Sequence, residues 1–94
     1  MSTKNTPLTK AAMAAEANPP QTLTQAHQEL VRIRPCHKAS LQVWLSYYQY
    51  SVQVYEQIAE TDPGHEGEAL YWADRERDHA RDIEARIRVL IPDQ

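Results

Sequence analysis

Hydrophobic and polar positions between residues 39 and 61 form three lengthwise stripes when the chain is wound as a helix, and residues 39–55 carry no charge. One apolar stripe consists of Leu41, Leu45, Tyr48, Val52, Tyr55 and Ala59. The other, about 200° away, consists of Val43, Tyr47, Tyr50, Val54 and Ile58. A polar line between them consists of Gln42, Ser46, Gln49, Gln53 and Gln57. Because a helix that is apolar on two faces needs two partners, the pattern predicts a helical bundle and favours a second chain.

Two further helices flank this one. Thr22 and Gln25 match a capping box, so we expect a short amphipathic helix that starts there and ends at Arg34, before Pro35. Residues 61–64 read T-D-P-G, a turn in which Asp62 is expected to cap the third helix. The stripe of the third helix that faces the second consists of Ala69, Ala73, Glu76, Ala80, Ile83, Ile87 and Leu90.

These elements predict an all-α fold, which consists of a long antiparallel helical hairpin and a short N-terminal helix. We expect the chain to complete a helical bundle by dimerisation. Residues 1–21 contain three prolines and few large apolar side chains, so we expect a disordered N-terminal tail. Residues 22–94 form a single helical domain, with helices at about 22–34, 37–60 and 63–90.

Charge and composition narrow the functional classes. The net charge is −3, and residues 39–94 hold eleven acidic and five basic side chains, which disfavours binding of phosphate backbones. The N-terminus lacks a signal-peptide pattern and no apolar run is long enough to span a bilayer, so we expect a cytoplasmic protein without a membrane partner. Cys36 is the single cysteine, which excludes an internal disulfide.

Aromatic side chains supply the candidate partner interface. The tryptophans and tyrosines exceed what one hairpin can bury, and these residue types dominate the centres of protein interfaces. The predicted interface consists of Val43, Trp44, Tyr47, Tyr50, Val54, Tyr71 and Trp72. Its partner is a second copy, giving a homodimer, or another protein, and the short first helix covers part of the same face. The sequence leaves open which of the three covers most of it.

A weaker motif concerns metal binding. Residues 76–79 read E-R-D-H, and E-x-x-H on a helix supplies metal ligands in ferritin-like bundles. Glu76 and His79 are therefore the candidates for a metal-binding, half-ferritin-like hairpin that needs two chains. The nearest acid on the second helix is Glu56, too far along to serve as a bridging ligand, so we predict no metal and no cofactor.

The chain lacks the motifs of catalysis. It has no Gly-rich phosphate loop and no strained-turn nucleophile, so we predict a non-enzymatic interaction or regulatory and accessory protein without a small-molecule substrate. A further alternative is a nucleic-acid-associated accessory protein that uses its basic N-terminal part. That part contains Lys4, Lys10, Arg32, Arg34 and Lys38.

Three motifs lie between residues 44 and 77: W-L-x-Y-Y-x-x-S-x-x-V-Y (residues 44–55), I-A-E-x-D (58–62) and H-x-x-E-A-L-Y-W-A-x-R-E-R (65–77). Together they resemble a family of short uncharacterised actinobacterial proteins. The resemblance covers about a third of the chain and implies a small bacterial cytosolic protein. It implies no reaction.

Overall fold

The computed structural model describes residues 19–90 and shows an all-α fold of three helices. Helix α1 spans Leu23–Arg32, α2 spans Leu41–Thr61 and α3 spans Glu66–Leu90. A single 3-10 turn, Pro63–His65, connects α2 to α3. Helical residues make up 82% of the described part, which contains no strand. Most of the predicted disordered tail, residues 1–18, lies outside the described residues.

Polar side chains set the starts of α1 and α2. Thr22 Oγ1 accepts a hydrogen bond from the Gln25 N–H at 3.2 Å, as the capping box predicts. The Gln25 side chain reaches back to the N–H of Gln21 at 2.8 Å, one residue earlier than the motif requires. Ser40 Oγ accepts from the Val43 N–H at 3.2 Å, so α2 begins after Ser40 and not near residue 37.

Helices α2 and α3 pack along each other. Tyr55 stacks on Trp72 close to the connecting turn, with ring centroids 6.1 Å apart. Further from the turn, Tyr48 stacks on His79 at 4.8 Å. Residues that are earlier in α2 therefore meet residues that are later in α3.

Both apolar stripes of α2 contain buried residues, and the centre of the buried face lies between the two stripes, on the side of the helix away from the polar line. Ser51, which belongs to neither stripe, is 0% exposed, and its Oγ donates to the Tyr47 carbonyl at 2.9 Å. Tyr47 of the second stripe and Tyr55 of the first are both buried beside it. The polar line is exposed at every position, as predicted: Gln42, Ser46, Gln49, Gln53 and Gln57.

Small residues of α3 allow it to approach the bulky side chains of α2. Ala69, Ala73 and Ala80 are buried, as the sequence predicts. The predicted inward stripe is wrong at Leu90, which is 68% exposed. Since His79 lies opposite Tyr48, the last turn of α3 extends past the start of α2 and faces no other helix among residues 19–90.

Candidate protein-binding surface

The predicted interface contains two residues that are not on the surface. Tyr47 is 4% exposed and Val54 is 7% exposed, which corrects their assignment to a contact with a second chain. The reason is that α1 covers this part of α2, where the Tyr47 hydroxyl donates to the Leu30 carbonyl at 2.9 Å. Burial raises the pKa of the Tyr47 hydroxyl, which therefore stays protonated and able to donate.

The remaining α2 members of the predicted interface lie on the rim of the core. Val43, Trp44 and Tyr50 are all half-buried. The Trp44 ring lies 5.6 Å from the Tyr48 ring, and the Arg34 guanidinium lies over it at 5.1 Å from the centroid. This stacking of a cation on the indole face contributes to holding the segment after α1 against α2.

The α3 members form a second group of rings. Tyr71 is 56% exposed, and its ring meets the half-buried Trp72 edge-on at 5.5 Å. Arg75 lies over Trp72 at 5.5 Å, and the neighbouring Leu70 is 44% exposed. Tyr71 is thus a large, accessible aromatic side chain held beside a second one.

His27 connects α1 to both long helices, a role that the sequence did not reveal. Its Nδ1 lies 2.7 Å from the Tyr55 hydroxyl, and its ring meets Trp72 edge-on at 5.2 Å. Burial raises the pKa of Tyr55, so the hydroxyl is protonated and donates to Nδ1 when the imidazole proton is on Nε2. The available signal was its position four residues after Leu23, at the edge of the apolar face of α1.

The two metal-ligand candidates occupy different surroundings. Glu76 is half-buried and accepts no hydrogen bond from the described residues, and desolvation raises its pKa despite the nearby charges of His79 and Arg75. His79 is exposed and its ring stacks on Tyr48. Between residues 19 and 90, no group of three or more His, Cys, Asp and Glu side chains is placed to hold a metal ion.

The basic residues of the nucleic-acid alternative are partly engaged within the chain. Arg32 forms an ion pair with Glu29 at 2.6 Å, and Arg34 lies over Trp44. Lys38 is exposed, while Lys4 and Lys10 lie outside the described residues.

Comparisons with family models, curated proteins and solved structures gave no match for this chain. The resemblance to short actinobacterial proteins therefore stays a prediction. None of the helices between residues 19 and 90 is both long and apolar enough to traverse a bilayer.

Proposed function

We propose that this chain is a small, non-enzymatic, cytoplasmic protein that works by binding protein, in a regulatory or accessory role. In this proposal α2 and α3 form a long antiparallel hairpin and α1 braces it. The opposed order of the Tyr55–Trp72 and Tyr48–His79 contacts supports the hairpin. The partner is a second copy of the chain or another protein.

The observation that carries the proposal is the exposure of Tyr71 beside Trp72. A tyrosine loses little conformational entropy when it is buried by a partner, and its hydroxyl can still find a hydrogen bond there. Leu70 adds apolar area next to it, while Arg75 supplies a charged rim. An aromatic centre with a polar rim is the usual composition of a protein-binding patch.

Site-specific photo-crosslinking in cells that make the protein tests this proposal. A benzoylphenylalanine at position 71 should give a discrete crosslinked species, because that side chain lies inside the contact. The matched control is position 78, which is also exposed on α3 and points the same way since two helical turns separate the positions. Equal crosslinking at the two positions, or none at position 71, contradicts the proposal.

A further inference from the structure

Negative charge is concentrated where α2 turns into α3. Residues 56–77, which we call the turn end, contain seven Asp and Glu side chains and two arginines. Along the rest of α3, residues 78–90, three acidic side chains are balanced by three arginines. The carboxylates of the turn end are Glu56, Glu60, Asp62, Glu66, Glu68, Asp74 and Glu76. The exposed Leu70 and Tyr71 therefore lie within the acidic part of the molecule.

The two arginines of the turn end leave most of this charge uncompensated. Arg77 is ion-paired with two of the seven carboxylates, and Arg75 lies over the Trp72 ring. Glu60 and Glu66 are exposed, and neither belongs to an ion pair between residues 19 and 90. The surface around the exposed apolar side chains thus keeps a negative potential.

Carboxylates flank the exposed apolar side chains on α3. Glu66 precedes Leu70 by four residues and Glu68 precedes Tyr71 by three, and both spacings place two helical side chains next to each other. Helical side chains lean toward the N-terminus, so Tyr71 points to the turn that contains Gly67. A Cβ atom placed at Gly67 would meet no side chain within 4 Å other than its two chain neighbours. The space beside Tyr71 is therefore open and is bordered by negative charge.

A basic partner segment is complementary to this surface. Lysine and arginine have apolar stems that can pack on Tyr71 and Leu70 while their charges reach the neighbouring carboxylates. A cation can also lie over the exposed ring of Tyr71. A second copy bound symmetrically would instead place the same acidic surface against itself, and like charges across an interface oppose association. Charge complementarity thus favours another protein over a second copy at this surface.

We infer that the partner bound at Tyr71 is another protein, which contacts this surface through a segment rich in lysine and arginine. This inference rests on the proposed protein-binding function and names the chemistry of its partner. Apolar groups of the segment cover Tyr71 and Leu70, and its charges pair with Glu66 and Glu68.

Fluorescence anisotropy of the full chain with two labelled peptides tests the sign of the charge. The peptides KLAKLAKKLAKLAK and ELAELAEELAELAE differ only in carrying lysine or glutamate. The lysine peptide should bind with a Kd lower by about tenfold or more. Tyr71→Ala should raise the Kd of the lysine peptide by about fivefold or more, because the variant removes the central apolar contact. Circular dichroism should show equal helix content in all variants.

A matched pair of charge reversals locates the binding site. The side chains of Glu68 and Asp82 are 65% and 62% exposed, and both residues lie on α3, so Glu68→Lys and Asp82→Lys change the net charge equally. Glu68 lies three residues from Tyr71, whereas Asp82 lies eleven residues away. That separation is about 16 Å along the helix, beyond the Debye length at physiological salt. Glu68→Lys should raise the Kd of the lysine peptide by about fivefold or more, and Asp82→Lys by less than about twofold.

Three outcomes overturn the inference: a lysine peptide that binds no better than the glutamate peptide, equal effects of Glu68→Lys and Asp82→Lys, or a Kd that Tyr71→Ala leaves unchanged. If specific crosslinking at position 71 accompanies any of them, the proposed function stands and this inference alone fails. Mass spectrometry of the species crosslinked at position 71 should identify a partner segment rich in lysine and arginine. A crosslink to residues 1–18 of the same chain, or to a second copy, also overturns the inference.

Discussion

The Asp62 carboxylate accepts a hydrogen bond from the backbone N–H of Leu23 at 2.9 Å, across 39 residues of sequence. The sequence predicted that Asp62 caps the third helix, but its side chain makes no capping bond to the 3-10 turn that follows it. It satisfies instead the first N–H of α1, which has no partner inside its own helix. Thr61 Oγ1 donates to the Gln21 carbonyl at 3.0 Å beside it. The turn after α2 thus holds the start of α1.

Asp62→Ala is expected to lower the melting temperature and to loosen α1 more than the long helices. The variant leaves the Leu23 N–H without its acceptor and frees the start of α1 from the turn. Hydrogen exchange should speed up most at the α1 amides. His65→Ala, which removes only the neighbouring imidazole, is the control. Uniformly faster exchange through all three helices would contradict a local role for Asp62.

The Asp62–His65 contact predicts a defined pH dependence. The Leu23 N–H and then His65 lower the pKa of Asp62, and Asp62 raises the pKa of His65 from its ordinary value of 6.5. The contribution of His65 to the free energy of unfolding is therefore fully present below its unfolded pKa, and it is lost as pH rises through its higher folded pKa. That of Asp62 is present above its unfolded pKa and is lost as pH falls through its lower folded pKa.

Urea unfolding of wild type and His65→Ala at two pH values measures this dependence. The wild type should exceed the variant in stability at about pH 5.5, where Asp62 is charged and His65 is protonated, and the difference should vanish at about pH 8.5. A difference of the same size at both values would show that the imidazole acts without its charge.

Tyr47→Phe should lower the free energy of unfolding by about 1 kcal/mol. The variant keeps the ring in the core but leaves the Leu30 carbonyl, at the end of α1, without its 2.9 Å donor. Tyr71→Phe removes a hydroxyl from an exposed side chain and should change the stability by less than about 0.5 kcal/mol. Urea denaturation of both variants provides the comparison, and equal losses would mean that the buried hydroxyl is not what stabilises α1.

Substitutions at Ser51 test how closely the helices approach each other. Ser51→Leu introduces a large side chain at a fully buried position and should cost about 1–3 kcal/mol through overpacking. Ser51→Ala should stay within about 0.5 kcal/mol, because it keeps the small volume and alanine favours a helix. A higher melting temperature for Ser51→Leu than for Ser51→Ala would show that the core has unfilled space at this position.

Glu76→Gln should stabilise the chain near pH 7 by up to about 1 kcal/mol, since the folded state then buries no charge. Because the folded pKa of Glu76 is raised, the wild type loses stability as pH rises from the unfolded pKa through the folded one, and the variant should not. Glu84→Gln on the same helix serves as the control. Reduced stability of Glu76→Gln at neutral pH would instead reveal a partner of the carboxylate, such as a metal ion.

The sequence by itself determined the features that depend on positions within one helix. The 3.6-residue periodicity of residues 41–61 predicted the exposed line of glutamines on α2. The spacing of the alanines predicted the buried face of α3. The Thr22 cap could also be predicted from the sequence, because the N–H that donates to its side chain belongs to Gln25, only three residues away. Local spacing suffices for these features since a helix fixes the relative directions of its own side chains.

Only the tertiary structure decided which aromatic side chains are accessible. Within residues 19–90, Tyr47 is buried because α1 lies over that part of α2, and Tyr71 is exposed because α1 does not cover the outer side of α3. That position depends on contacts between residues that are distant in sequence, such as His27 with Tyr55 and Leu23 with Asp62. The periodicity of each helix gives the direction of its faces but not the relative placement of two helices. The placement follows from the packing of apolar faces against each other and from pairings of single polar groups, and neither is written as a repeating pattern in the chain.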